Sequence, residues 1–140
     1  MITNTFEEGP SGIIKTVLEG KEKPVLVSIH GFPHSGKTEL RKRAAKALSD
    51  KGIYGLSGME GDSVQKSGGI QNPGYFLIED MPYTESADEY TMRLFGRKPD
   101  LKVLIMKKDK ILPAGILECA EQGTYGLIIE NELASRKNKY

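Results

Sequence analysis

The sequence predicts an α/β fold: a three-layer α/β/α sandwich around a mostly parallel, five-stranded sheet. Two observations lead there. Short apolar, β-branched runs alternate with segments of helix formers, the pattern of strands that pair in parallel and are covered on both faces. One glycine-containing turn, Gly31 to Thr38, also joins such a run directly to a helical segment. At 140 residues the chain has room for one core, so a single domain over 1–140 is expected.

The elements follow in order. Residues 1–10 read as a loose leader ending in Gly9-Pro10, and Ser11 can cap a short helix through Leu18, with Gly20 and Pro24 beyond it. Pro24 to His30 is a buried strand by its run of Val, Leu and Ile. Glu39 to Asp50 lacks Gly and Pro and sets Leu40, Ala44, Ala47 and Leu48 on one helical face. Gly52 is the natural residue just past its end. Ile53 to Leu56 is a short second strand. Residues 57–74, rich in Gly, Ser, Asn and Gln, are too polar to build core and read as a mobile loop.

Tyr75 to Ile78 forms the third strand and runs into Glu79-Asp80. Glu85 to Phe95 is a helix closed by Gly96, and Leu101 to Met106 is the fourth strand. Pro113 to Gln122 reads as a helix with Pro at its start and Gly123 as its stop. Tyr125 to Ile129 is the fifth strand, and 134–140 a frayed tail.

Composition narrows the function classes. Hydrophobic residues at 38% and charged ones at 28% are ordinary for a globular protein. A net charge of +1 argues against a general nucleic-acid or membrane-surface role. Arg41-Lys42-Arg43 reads as the solvated face of a helix, and Arg136 to Lys139 as part of the tail. Cys119 is the single cysteine, which leaves no disulfide framework or cysteine cluster, and it reads as a small core hydrophobe. No signal peptide and no run of about 18–20 apolar residues is visible, so no membrane partner and a cytoplasmic location are expected.

The chemistry sits in Gly31-Phe32-Pro33-His34-Ser35-Gly36-Lys37-Thr38, which satisfies the phosphate-loop pattern G-x-x-x-x-G-K-[ST]. The glycines let backbone N–H groups turn toward an anion. The lysine reaches the β- and γ-phosphates, and the threonine hydroxyl is a ligand for Mg²⁺. Opening a helix here adds its dipole and free N–H groups. The predicted nucleotide-binding set is therefore Gly31, Phe32, Pro33, His34, Ser35, Gly36, Lys37, Thr38 and Glu39.

Such a loop needs an acid at the end of another apolar strand to orient the metal. Glu79 and Asp80 are the candidates, and adjacent strand residues point to opposite faces, which leaves either open. Metal ligation is accordingly assigned to Thr38 with Glu79 or Asp80. Asp62 or Glu60, just past the second strand, could orient an acceptor hydroxyl and take its proton. Simpler readings exist for each: a strand-end polar pair, and solvated loop acids.

Together these stretches resemble the P-loop NTPase superfamily in its small-molecule kinase branch, nearest the uridine kinase and phosphoribulokinase group. Lys23 to Gly31 is similar to that group's opening strand, Leu56-Ser57 through Asp62-Ser63 to the stretch with its catalytic aspartate, and Phe76 to Asp80 to its strand ending in Glu. Asp100 to Met106 and Tyr125 to Asn131 look like its last two strands. The resemblance implies Mg·ATP as cofactor and γ-phosphate transfer to a hydroxyl on a small nucleoside- or nucleotide-like acceptor. It makes Lys37, Asp62 and Glu79 the catalytic set and favours Glu79 over Asp80. One element of the group is missing. Where an arginine-bearing lid is expected, Lys107 to Pro113 is short and contains no arginine, although Lys107, Lys108 or Lys110 could supply charge. A second copy or a partner chain would then complete the site, or the protein binds and slowly hydrolyses nucleotide as a regulatory NTPase.

A third reading is a degenerate GTPase, because Met106-Lys107-Lys108-Asp109 is similar to the guanine-reading Asn-Lys-x-Asp. The Asp-x-x-Gly expected after the third strand is absent. His30 is expected to be a hydrogen-bonded structural residue and His34 to face solvent or acceptor, and neither has partners at zinc-ligand spacing.

Overall fold

A computed structural model describes residues 3–31, 35–58, 73–80, 87–107, 123 and 125–131. Their elements run β1 (Asn4–Thr5), α1 (Gly9–Glu19), β2 (Val25–Gly31), α2 (Lys37–Asp50), β3 (Leu56–Gly58), β4 (Tyr75–Asp80), α3 (Ala87–Phe95), β5 (Leu101–Lys107) and β6 (Leu127–Asn131). The strands form one sheet in the order β1-β6-β5-β2-β4-β3, and every pairing is parallel.

The α/β class holds, and the strand count is corrected from five to six. The added strand is β1, where Asn4 and Thr5 pair with Ile129 and Glu130 at the sheet edge. The expected leader over 1–10 is therefore structured from residue 4 onward. Two residues carry no periodicity, so a strand this short leaves no pattern in the sequence. The chain turns at once: Glu8 accepts from both the amide and the hydroxyl of Thr5 at 2.9 Å. Phe6 is buried in that turn, and α1 opens at Gly9-Pro10, two residues before the expected cap.

β2 is the centre of the sheet. All seven of its residues are buried, and it pairs with β4 on one edge and β5 on the other. Alternating side chains divide the core. Val27 and Ile29 pack with Leu77, Val103, Ile105 and Ile129 beneath Ile13 and Val17 of α1 and Leu40, Ala44 and Leu48 of α2. Leu26 and Ile78 pack on the opposite face with Tyr90 of α3, joined by Phe76, Leu94 and Phe95. Helices therefore cover both faces, as the uninterrupted apolar strands require.

Polar contacts fix the lower ends of the strands. Asp100 accepts from the Leu26 amide at 2.8 Å, its own amide donates to Leu26 O at 2.7 Å, and Arg97 pairs with its carboxylate. Lys102 of β5 holds Asp88 of α3 at 3.1 Å.

Several strand boundaries differ from expectation. The second strand begins at Leu56 rather than Ile53, because the Ile53 amide closes α2 by donating to Leu48 O at 2.9 Å. Ser57 and Gly58 belong to that strand rather than to the predicted loop, since they align with Leu77 and Ile78 of β4. The final strand runs to Asn131, two residues past its expected end. Residues 59–72 of that loop, the helix over 113–122, Cys119 and the tail over 134–140 lie outside the described residues. Among the described residues no helix is long and apolar enough to cross a membrane.

Leu77 lies at the middle of β4 with no exposed surface. Leu77→Ala should lower unfolding stability by about 3 kcal/mol. Urea denaturation followed by circular dichroism measures it, and a loss below about 1 kcal/mol would place Leu77 outside the core.

Candidate functional site

β2 ends at Gly31 and α2 begins at Lys37, so the glycine–lysine loop leaves the carboxyl end of the central strand and opens directly into a helix. The connection from β2 leads toward β3 and β4, while the chain from β5 continues to β6 on the other side. Neighbouring strands whose connections diverge leave a crevice at their carboxyl ends, where open α/β sheets collect ligands.

Both pattern glycines are required by the geometry. Gly36 is the N-cap of α2 with φ of 103°, a left-handed conformation that costs any L side chain energy. A Cβ there would lie 2.5 Å from Asn131 Nδ2 and 3.1 Å from the Phe6 ring. A Cβ on Gly31 would lie 2.6 Å from the Ile105 carbonyl oxygen and 2.9 Å from Ser35 Oγ.

Lys37 is buried, and its Nζ donates to the Gly31 carbonyl at 2.8 Å, so the ammonium folds back across the loop it belongs to. Ser35 is fully buried, and its hydroxyl has no hydrogen-bond partner among the described residues. The Ser35 carbonyl accepts from Asn131 Nδ2 at 2.8 Å. That bond ties the loop to the end of β6.

Thr38 and Glu79 meet. Thr38 Oγ1 donates to Glu79 Oε2 at 3.1 Å across the join between α2 and β4. Glu79 is 1% exposed, and its Oε1 accepts from Arg41 Nε at 2.8 Å. Arg41 Nη1 donates in turn to Ser57 Oγ of β3 at 2.9 Å. The expectation that Arg41-Lys42-Arg43 forms a solvated face is corrected at its first member: Arg41 turns inward, while Lys42 and Arg43 are exposed. Arg43 instead pairs with Glu39 at 2.9 Å on the surface and lies over the Phe6 ring at 4.8 Å.

His30 is buried, and its Nδ1 lies 3.1 Å from the Tyr125 hydroxyl, as a structural role predicts. Burial, helped by the charge of Lys37, pushes its pKa down to about 4. Lys107 ends β5 as a buried residue in register with Asn131.

Of the residues selected from the sequence, Gly31, Ser35, Gly36, Lys37, Thr38 and Glu79 gather at one place. Glu39 lies in the first turn of α2 but on its surface, engaged with Arg43. Asp80 aligns with His30 in the ladder, and nothing further is described for its side chain. Phe32, Pro33, His34, Glu60, Asp62, Lys108, Asp109 and Lys110 lie outside the described residues.

Arg41, Ser57 and Asn131 were not selected as site residues. A signal existed for Arg41, which follows Lys37 and Thr38 by four and three residues and so shares their edge of the helix. Ser57 and Asn131 carry no pattern, because strand pairing alone brings them in.

A buried hydroxyl with no partner among the described residues, a folded-back lysine and two glycines without room for a side chain fit a phosphate cradle. Among the described residues no group of three or more His, Cys, Asp or Glu could hold a metal alone. The Thr38 hydroxyl and the Glu79 carboxylate are oxygen donors of the kind a hard cation such as Mg²⁺ takes together with phosphate and water. Comparison of the chain with protein-family models, curated proteins and solved structures returns no match.

His30 gives a pH signature. Its neutral form is favoured in the folded protein, whereas the unfolded chain takes up a proton near the ordinary histidine value of 6.5. The stability it contributes is complete above pH 6.5 and declines as pH falls toward about 4. His30→Gln should remove up to about 3 kcal/mol of that decline. Denaturation midpoints of both proteins from pH 7 to pH 4 measure it, and parallel curves would show that His30 takes up its proton normally.

Proposed function

We propose that the chain is a P-loop protein that binds Mg·ATP and transfers the γ-phosphate to a hydroxyl on a small, nucleoside-like acceptor. One observation carries the reading. The hydrogen bond from Thr38 to Glu79 joins the loop's hydroxyl to an acid at the end of the strand paired beside it, the two groups such a site needs for its metal.

Each residue then has a task. Backbone N–H groups at the start of α2 and the Ser35 hydroxyl bind phosphate oxygens. Lys37 exchanges the Gly31 carbonyl for the β- and γ-phosphates, and an ion pair with phosphate is stronger than its bond to a neutral carbonyl. Thr38 and Glu79 hold the cation, which when bound neutralises charge on the phosphates being separated. Asp62, from the segment that leaves the carboxyl end of β3, orients the acceptor hydroxyl and takes its proton.

A second reading is favoured by one feature of the sequence. Residues 108–126, between β5 and β6, contain no arginine. A nucleotide-binding protein that hydrolyses slowly and signals through conformation would need no cationic lid.

Calorimetric titration with ATP and GTP in Mg²⁺ separates the readings. Lys37→Ala should weaken ATP by about 10- to 100-fold while leaving the fold intact. Equal affinity in that variant would remove the loop assignment, and selective GTP binding would favour the GTPase reading. Asp62→Asn should leave ATP affinity intact and lower acceptor phosphorylation by about 100-fold or more. Transfer at the wild-type rate would exclude Asp62 as the base.

A further inference from the structure

We infer that Arg41 is a positioning residue that aims Glu79 at the cation and couples that aim to the end of β3. The inference rests on the nucleotide reading above and adds to it a residue that touches neither phosphate nor metal.

Arg41 joins three elements through one planar group. It stands on α2, its Nε reaches Glu79 of β4 at 2.8 Å, and its Nη1 reaches Ser57 of β3 at 2.9 Å. The guanidinium donors are fixed relative to one another, so satisfying both sets the distance between the β3 end and the Glu79 carboxylate. With Oε1 engaged by Arg41, the other oxygen of Glu79 is turned to Thr38. That is the oxygen on the cation side of the carboxylate.

A purely stabilising role explains the arrangement poorly. Buried ion pairs are weak contributors to stability, because desolvation offsets most of the attraction, and an apolar pair often serves as well. What this pair provides is direction. Outer contacts to a ligating carboxylate commonly change metal affinity by about 10- to 100-fold.

The contact with Ser57 extends that control. Gly58 ends β3, and the segment bearing Glu60 and Asp62 follows immediately in the sequence. A shift of the β3 end on acceptor binding would pull on Ser57, then on the guanidinium, then on Glu79.

The test is ATP affinity as a function of Mg²⁺ concentration, beginning from EDTA, for wild type, Arg41→Met, Arg41→Lys and Ser57→Ala. For Arg41→Met, the Mg²⁺ concentration that gives half-maximal tightening should rise about tenfold or more, with metal-free ATP affinity unchanged. Arg41→Lys should recover part of the loss, since it keeps the charge and one donor but not the fork. Ser57→Ala should shift the midpoint in the same direction by less, and it leaves no charge buried alone. If Arg41→Met does not fold, the Lys and Ser57 variants decide by the same criterion.

Unchanged midpoints would overturn the inference, as would an equal loss of affinity with and without Mg²⁺, the mark of a merely structural pair. A wild type that binds ATP, and binds it tighter with Mg²⁺, upholds the nucleotide reading whatever Arg41 does. A wild type that binds no ATP removes that reading and the role of Arg41 with it.

Discussion

A carboxylate buried to 1% exposure must be compensated, and the compensation of Glu79 sets how α2 and β3 meet β4. An isolated buried ion costs several kcal/mol, so its partners must be present in the folded state and correctly aimed. Here they are a guanidinium and a hydroxyl on successive turns of one helix. Their spacing leaves α2 little freedom to rotate or slide without breaking a contact that is costly to lose. The same contacts fix where the loop before α2 must end. Gly36 adopts its left-handed conformation at that point because strand and helix are each already placed.

The sheet order gives that constraint its consequence. Because β2 pairs with β4 on one edge and β5 on the other, the loop leaves the sheet where acid-bearing and lysine-bearing strand ends flank it. Glu79 approaches from one side, and Lys107 and Asn131 end their strands together on the other. β1 extends the same side by pairing with β6, and Phe6, in the turn that follows it, closes against Gly36. The N-terminal turn, which looks dispensable as sequence, is thus part of the wall behind the loop.

What the sequence made legible follows from what carries a pattern. The apolar runs at 24–30, 75–78 and 101–106 and the helix face of Leu40, Ala44 and Leu48 announced the core, because burial on a fixed period leaves its mark on residue choice. The loop was visible because its two glycines answer to backbone conformation and close approach, which few other residues tolerate. Arg41 was misread because basic residues on a helix usually face water, and only its partner on a distant strand reveals the inward turn. Asn131 and Ser57 were silent for a related reason. Each is a single polar residue at a strand end, and its role comes from register between strands far apart in the chain. The choice between Glu79 and Asp80 likewise could not be made from adjacency, and the contact of Glu79 with Thr38 now favours it.

In the proposed reading, binding and turnover rest on different parts of the molecule. The parts that would hold a triphosphate belong to the scaffold: two constrained glycines, a helix N-terminus, a buried lysine and a carboxylate fixed on two sides. Charge that develops during transfer needs more, and fast phosphoryl transfer commonly draws on an arginine near the γ-phosphate. Arg41 is held to another task, with Nε on Glu79 and Nη1 on Ser57. The segments that follow β3 and β5, residues 59–72 and 108–126, contain lysines but no arginine. A lysine brings a single point charge and lacks the fork that grips two phosphate oxygens. In that reading, the segments after β3 and β5 serve binding better than rapid transfer. A cation that the acceptor, a second copy or another protein adds at the carboxyl ends of the strands would supply the charge they lack.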